Sequence, residues 1–465
     1  MISKKQAIEI LNVALSTGGD YAEIYYEDSS SYSLSIENGK VETSHDALNT
    51  GYGIRILKGL QSVYGFSVDT SKKALINLAA TLAASYQGER VLTVSDLKVK
   101  RYKVSSPIRR SYRDVSKEEK IALVKEGLTA IENYDPRIIR TIGSFADNRK
   151  EMTVFNSKGD IIKRVQEYGR AGYSVIASDG KSMESGFEMP GCQDSIDYFS
   201  TTLHMKDLAL KAAKQAIQNL EADECPSGVM PVVIGNGWGG VLFHESCGHP
   251  LEASAVSKGL SCFSGKMGEM IASPIVTAVD DSTIPYAWGS VDVDDEGVKG
   301  EKRVLIKNGK LTKYMIDSFN GRRMGAEPNG ACRRQSFRYE PTSRMSNTYI
   351  ANGKSTPEEI IAATKLGLYA VAFNGGSVNP TTGEFNFGCS EAYIIRDGKI
   401  AEPVKGAMLV GKGAEILHKI DMVGNDCKLA EGMCGASSGS IRVTVGQPTL
   451  RLSSCTVGGR GGELK

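Results

Sequence analysis

Residues 241–250 read Val-Leu-Phe-His-Glu-Ser-Cys-Gly-His-Pro and contain two of the five histidines in a chain of 465 residues. Imidazole is the commonest protein ligand for zinc, and an adjacent carboxylate, here Glu245, can accept a proton from metal-bound water. The pattern therefore indicates a metal site suited to hydrolysis. The alternative is that His244 and His249 are structural histidines on a buried turn. Glu245 disfavours it, because a buried carboxylate without a partner or a role is costly.

The spacing of the two histidines predicts a distorted helix. Histidines four residues apart lie about 40° apart around an α-helix and share a face, as in the familiar H-E-x-x-H zinc motif. Here they are five residues apart, which is roughly 140°. A one-residue π-bulge would restore the shared face, while Gly248 loosens the backbone and Pro250 opposes helical geometry at His249. We expect a helix that bulges, bends or ends near Gly248.

The composition is that of an ordinary globular protein, with 41% hydrophobic residues and a length that suggests two or three domains. Its 56 Lys and Arg nearly balance 54 Asp and Glu, so nucleic acid is not an expected partner. No apolar run approaches the roughly 20 residues that span a bilayer, and the first residues do not form a signal peptide. Nine cysteines without a C-x-x-C pair favour a reducing compartment, so we expect a cytoplasmic protein.

Local signals divide the chain into an α+β domain over residues 1–222 and a β-rich domain over residues 223–465. In the first part, serines placed to cap amphipathic helices alternate with strands separated by turns such as Asn38-Gly39. This layout predicts helices and antiparallel hairpins rather than βαβ units. The run at 221–228 combines charge, Pro and Gly, and is the best linker candidate.

The second part is predicted to be mainly β, a barrel-like or curved antiparallel sheet that carries the metal-binding helix. Turn pairs at Asn308-Gly309, Asn352-Gly353 and Asp397-Gly398 lie between alternating strands. One clear helix interrupts them, with Thr356 as its cap and Pro357 in its first position.

Glycines precede the histidine stretch in the run Gly235-Asn-Gly-Trp-Gly-Gly240, which fits the dinucleotide fingerprint G-x-G-x-x-G. A nucleotide-binding unit would next need a parallel strand and an acidic residue about 20 positions on, and the chain offers histidines and a proline instead. The favoured interpretation is that these glycines let the backbone approach the metal site or a substrate.

Charged clusters elsewhere allow both a structural and a functional interpretation. The six arginines between Arg322 and Arg344 could form a salt-bridged surface, which is the favoured interpretation, or could bind a peptide carboxylate or stabilise charge near the metal. The acidic runs do not fit an EF-hand and are expected to be solvated loops. The remaining histidines are expected to be structural. These residues are Arg322, Arg323, Arg333, Arg334, Arg338 and Arg344; Asp280-Asp281 and Asp292 to Glu296; and His45, His204 and His418.

Several separated motifs resemble the TldD/PmbA metallopeptidases and cover most of the second half in order. They are Gly237-Trp-Gly-Gly-Val-Leu-Phe-His-Glu-Ser-Cys-Gly-His-Pro-Leu-Glu252, Arg344-Met-Ser-Asn-Thr-Tyr349, Phe373-Asn-Gly-Gly-Ser-Val-Asn-Pro380, Gly432-Met-Cys-Gly435, Val445-Gly-Gln-Pro-Thr-Leu450 and Thr456-Val-Gly-Gly459. The first half resembles the family mainly in its layout of a helix followed by hairpins.

The resemblance implies a zinc peptidase with one zinc ion per chain, held by His244, His249 and Cys434. Cys455 is a weaker alternative for the thiolate. Three such ligands leave one position for water, which suits a catalytic zinc. Glu245 would be the general base and later the acid toward the leaving amine.

The resemblance also implies a dimer, either of two copies or with a metal-free PmbA/TldE-type paralogue. This chain keeps every proposed ligand and is therefore identified with the metal-bearing TldD type. Extended or unfolded peptides and peptide precursors would be its substrates, held partly by strand addition. The rival class is a non-catalytic regulatory or binding subunit, such as a gyrase modulator.

Overall fold

The computed structural model describes residues 1–379 and 382–464. Helices in the first half are α1 (Lys4–Ala14), α2 (Lys72–Ala83), α3 (Lys117–Ile131), α4 (Tyr198–Thr201) and α5 (Met205–Glu221), with a short 3₁₀ turn at Tyr112–Asp114. Its strands are β1 (Tyr21–Glu37), β2 (Lys40–Lys58), β3 (Gln61–Ser67), β4 (Lys98–Lys100), β5 (Ile138–Asn156), β6 (Asp160–Ser178), β7 (Met183–Glu188) and β8 (Gly191–Cys192).

These eight strands form one sheet in the order β3-β2-β1-β5-β6-β4, with β7 and β8 also paired to β6. The predicted hairpins are present, including the β1–β2 turn at Asn38-Gly39. Only the β4–β6 pair is parallel among these pairings. Ser3 caps α1 through a capping box with Gln6, and Ser116 caps α3. Local sequence rules therefore account for most of this half.

The described residues of the second half form 16 further strands and five short helices. Its strands are β9 (Asp223–Glu224), β10 (Gly228–Ile234), β11 (Ala278–Asp281), β12 (Lys302–Lys307), β13 (Lys310–Leu311), β14 (Cys332–Arg333), β15 (Thr342–Ser343), β16 (Asn347–Ile350), β17 (Leu366–Val378), β18 (Glu384–Arg396), β19 (Lys399–Lys405), β20 (Met408–Lys412), β21 (Ile420–Val423), β22 (Lys428–Ala436), β23 (Gly439–Gln447) and β24 (Leu450–Gly458). Its helices are α6 (Val241–Phe243), α7 (Ala253–Val256), α8 (Ser318–Met324), α9 (Pro357–Ala362) and α10 (Gly413–Ile416).

A closed barrel forms the core of this half. Strands β17, β10, β24, β20 and β18 are neighbours in that order, and β17 pairs with β18 to close the ring of five. Phe385, Phe387, Leu409 and Leu452 are among the buried side chains of this core. The predicted α+β class with a β-rich, barrel-like second half is therefore confirmed. Among the described residues, no helix is long and apolar enough to cross a membrane.

A second sheet lies beside the barrel in the order β13-β12-β11-β16-β23-β22. Its last strand, β22, pairs with β23 from Lys428 to Ala436. The six-stranded order ends at β22, which makes it an edge strand. Cys434 lies on this edge strand, opposite Ile441.

Local expectations in this half had different outcomes. The candidate linker at 221–228 is ordered, because β9 pairs with β19 and Cys225 is buried, and its role as a linker stays a prediction. The division at residue 222 stays a prediction. Asn352-Gly353 does not join a hairpin, since β16 pairs with β11 and β23 instead. The helix α8 was not predicted from the sequence, although Asp317 caps its start and Gly325 ends it in a left-handed conformation.

The acidic runs are not solvated loops. Asp280, Asp294, Asp295 and Glu296 are all buried. Several of them pair with arginines far away in the sequence, as in Asp295 with Arg164 at 2.7 Å. The expectation failed because composition shows the charge of a segment and not the distant partner that compensates it.

Candidate metal centre

The histidine stretch is a short helix that changes its period. A 3₁₀ turn at Gly237–Gly240 leads into α6, then into a π-helical turn at His244–Gly248 and a 3₁₀ turn at His249–Leu251. The His249 amide donates to the His244 carbonyl, which is the i to i+5 bond of a π-helix. The two imidazole rings lie 5.0 Å apart between centroids. The predicted bulge is confirmed, and it brings both rings to one side.

Tight packing holds this turn in place. A Cβ atom on Gly248 would lie 2.2 Å from the Sδ atom of Met345, a fully buried side chain. A Cβ atom on Gly413, at the start of α10, would lie 2.1 Å from the Ser246 carbonyl oxygen. The lack of a side chain at Gly248 therefore lets Met345 pack against the π-helical turn, and its lack at Gly413 lets α10 do the same.

Two glycines of the nearby Gly235–Gly240 run pack closely against a strand. A Cβ atom on Gly240 would lie 2.3 Å from the Gly446 backbone nitrogen, and one on Gly239 would lie 2.6 Å from the Gln447 side chain. These contacts are to β23 and not to the histidine cluster, so Gly239 and Gly240 seat the helix on the second sheet. The approach of this run to a substrate stays a prediction.

Cys434 completes a cluster with the two histidines. Its Sγ atom lies 3.2 Å from His249 Nε2, and the candidate ligand atoms of His244, His249 and Cys434 are within 4.8 Å of one another. Cys455 lies elsewhere, in the barrel core, with its Sγ atom 3.8 Å from the Val410 carbonyl oxygen. The structure therefore brings together the three residues named first and not the alternative. The other histidines, His45, His204 and His418, are exposed.

The cluster is strongly polarised. Burial raises the pKa of the Cys434 thiol, but the charges and hydrogen bonds of His244 and His249 outweigh burial and bring it to about 3. Burial lowers the pKa of His249, yet Glu252 and Cys434 raise it well above its usual value. Cys434 is therefore a thiolate at neutral pH, which is the form that binds metals.

These residues fit a metal ion. His244 is 3% exposed, and its Nδ1 atom has no hydrogen-bonding partner among the described residues. An imidazole with a buried nitrogen left unpaired is not accounted for by protein contacts alone. Imidazole and thiolate are also ligand types that zinc uses, and three protein ligands are the number found in catalytic zinc sites.

Glu245 lies at the edge of this cluster. One of its carboxylate oxygens is 3.8 Å from His249 Nε2, and its side chain is 20% exposed. It is therefore close enough to exchange a proton with a molecule at the cluster and open enough for such a molecule to reach it.

Two residues near the cluster make contacts with the proposed ligands that were not predicted, although Arg344 had been considered as part of the arginine cluster. Glu252 lies 3.2 Å from His249 Nδ1, and Arg344 donates to the Cys434 carbonyl oxygen at 2.6 Å. Both residues fall within the family motifs, but no spacing rule assigns them a role. Arg344, Arg333 and Arg334 are buried, so half of the arginine cluster is not a surface, contrary to the favoured interpretation.

Glu431, three residues before Cys434 on β22, gives a testable pH dependence. Burial raises its pKa from the ordinary 4.5 to about 7, with Arg170 and the Gly191 amide opposing the shift. The folded protein keeps this proton at pH values where the unfolded chain releases it. The contribution of this proton to the free energy of unfolding is thus fully present below pH 4.5 and is lost as the pH rises through about 7.

Glu431→Gln removes that titration. We expect the melting temperature of the wild type to fall between about pH 5.5 and about pH 8.5 more than that of this variant. Differential scanning fluorimetry on both proteins measures the difference. Equal slopes for the two proteins would contradict the assignment.

Family models match most of the chain, in three segments. Models of the PmbA/TldA metallopeptidase family match residues 22–85 as domain 1, 110–220 as the central domain and 227–459 as the C-terminal domain. The chain therefore belongs to this metallopeptidase family. Pro380, which ends one of its motifs, lies outside the described residues.

Among its relatives are proteins named TldD metalloprotease homologs. The one from Haemophilus influenzae is 34% identical over 98% of this chain and 97% of its own length. A metalloprotease from Methanothermobacter thermautotrophicus is 32% identical over 95% of this chain and 96% of its own. The naming of these relatives supports a peptidase and implies a metal.

Solved structures share the fold at lower identity. A proposed DNA-gyrase modulator from Bacteroides thetaiotaomicron has a TM-score of 0.78 at 21% identity, covering 99% of this chain and 100% of that one. TldE from Thermococcus kodakarensis has a TM-score of 0.75 at 19% identity, covering 94% and 97%. These likenesses concern the fold alone.

Proposed function

We propose that this protein is a zinc-dependent peptidase of the TldD type, with one zinc ion bound by His244, His249 and Cys434. The observation that carries the proposal is the meeting of two imidazoles and a thiolate beside an accessible carboxylate. When bound, zinc would polarise the peptide carbonyl and lower the pKa of a water molecule. We assign the remaining proton chemistry to Glu245.

Glu245 first acts as the general base, accepting a proton from the attacking water. It then acts as the general acid and delivers that proton to the leaving amine nitrogen as the peptide bond breaks. Its proximity to the cluster supports both roles, since one carboxylate can reach each reacting atom in turn. The low pKa of Cys434 keeps its sulfur ready as a ligand at neutral pH.

The substrate that suits this site is an extended peptide. The strand that carries Cys434, β22, ends its sheet, and Met433 and Gly435 beside the cysteine are exposed. An unfolded peptide or peptide precursor can lie along such an edge and so pass next to the cluster. Its main-chain hydrogen bonds would use groups other than the Gly432 and Cys434 carbonyl oxygens, which already accept from Trp288 and Arg344. A folded substrate would need to unfold locally first.

We further propose a cytoplasmic dimer, formed with a second copy or with a PmbA/TldE-type paralogue. All nine cysteines of the chain are free, which suits a reducing compartment. The shared fold of a protein called TldE supports a paralogue as a candidate partner.

The ligand set is tested by metal analysis of matched cysteine variants. We expect about one zinc per wild-type chain, background zinc in Cys434→Ser, and wild-type zinc in Cys455→Ser, because Cys434 and not Cys455 lies with the histidines. Removal of zinc with a chelator should abolish peptide digestion and zinc should restore it. Zinc loss in Cys455→Ser alone would transfer the ligand role to that residue. A wild type that binds zinc without cleaving any unfolded peptide would favour the regulatory-subunit class.

A further inference from the structure

We propose that Glu252 and Arg344 form a buried clamp that positions two of the metal ligands, His249 and Cys434. The two ligands are 185 positions apart in the chain, on a helix and on an edge strand. Because the two ligands belong to separate elements, contacts between those elements must set the distance between them. This inference rests on the proposed zinc site and concerns what surrounds the ligands.

Glu252 fixes the orientation of His249. Its Oε2 atom lies 3.2 Å from His249 Nδ1, and the opposite ring nitrogen, Nε2, lies 3.2 Å from Cys434 Sγ. If Nδ1 carries the proton and donates it to the carboxylate, the Nε2 lone pair faces the cluster. A carboxylate in this position both orients an imidazole ligand and makes it more basic. Glu252 is itself 5% exposed and cannot swing into solvent.

Arg344 fixes the other ligand. Its guanidinium is fully buried and donates to the Cys434 carbonyl oxygen at 2.6 Å. It also donates to Ser438 Oγ and to the Gly439 carbonyl oxygen, each at 2.9 Å. These three acceptors lie at the β22–β23 turn, so one rigid side chain holds the end of the edge strand that bears the cysteine.

The opposite charges of Glu252 and Arg344 lie close together. Arg344 Nε lies 3.9 Å from Glu252 Oε1, and neither atom has a hydrogen-bonding partner among the described residues. A buried charge left alone is strongly unfavourable, while an apolar pair of similar volume would often be as stable. The pair is therefore better explained by the ligands it touches than by stability. Glu252 and Arg344 are positioning residues and take no part in the reaction itself.

The zinc affinity of variants tests whether Glu252 and Arg344 position the ligands. We expect Glu252→Gln and Arg344→Met each to weaken zinc binding about 10- to 100-fold in competition with a chromophoric chelator. The double variant should lose less than the product of the two, since each single change already breaks the clamp. In the cobalt-substituted protein, the thiolate charge-transfer band should shift or weaken in both variants.

Asp280→Asn is the matched control, because Asp280 also pairs with a buried arginine, Arg303, but contacts no proposed ligand. It should lower the melting temperature and leave zinc affinity unchanged. Arg344→Lys keeps the charge and serves if Arg344→Met does not fold. Folded Glu252 and Arg344 variants with wild-type zinc affinity and cobalt spectra would overturn the clamp. A wild type that binds no zinc would instead overturn the proposed function.

Discussion

Replacing Glu245 with glutamine is expected to slow peptide hydrolysis by about 10²- to 10⁴-fold while zinc stays bound. Glutamine has nearly the same shape but cannot accept the proton of the attacking water. Zinc should remain because Glu245 is not among the clustered residues His244, His249 and Cys434. The measurement pairs initial rates on an unfolded peptide with zinc content in the same preparation.

A distant glutamate supplies the control. Glu358, exposed in the first turn of α9, should tolerate the same change to glutamine with wild-type rates and wild-type zinc. If Glu245→Gln hydrolysed peptides at the wild-type rate, another group would have to be the base. If it lost zinc together with activity, the glutamate would have to be counted as a ligand or as part of the ligands' support.

The sequence could predict the features that depend on neighbouring residues. Five-residue spacing between His244 and His249 cannot place both rings on one face of an α-helix, so helical geometry by itself requires a bulge. Caps at Ser3 and Thr356 and the turn at Asn38-Gly39 work in the same local way. Each depends on contacts within a few positions of the chain.

Other features depend on residues that are far apart in the chain. Cys434 was named through the resemblance to a family, because no local rule distinguishes it from eight other cysteines. Its meeting with the histidines requires β22 to pair with β23 at the correct register. The roles of Glu252 and Arg344 are equally hidden, since their contacts appear only once the helix and the strand are packed together.

The burial of charged residues was the property that the sequence predicted least well. Glu296 was expected in a solvated loop, yet it is 4% exposed and pairs with Arg55 from β2. Arg55 also contacts Glu23 of β1 at 2.9 Å, and Glu23 in turn accepts from Arg334 at 2.7 Å. This charge network joins the sheet of the first half to the loops of the second. Composition could not show it, because its members lie up to 311 positions apart.

Arg55→Met should therefore destabilise the protein by about 3–5 kcal/mol, because it leaves the buried carboxylates of Glu23 and Glu296 short of a partner. Arg140→Met is the matched control, since Arg140 pairs with Glu37 at an exposed, solvent-screened position, and it should leave the stability nearly unchanged. Thermal and denaturant unfolding of both variants measure the difference.

Adding Glu296→Gln to Arg55→Met tests why the single variant is expected to be less stable toward unfolding. The double variant should recover part of the lost stability, because it removes one of the carboxylates that Arg55→Met leaves uncompensated. Further destabilisation in the double variant would mean that Glu296 matters chiefly through its other contact, the Ser318 amide, which donates to Glu296 Oε2 at 2.8 Å. Recovery would instead show that the buried carboxylate of Glu296, once it lacks the guanidinium of Arg55, causes part of the instability of the single variant.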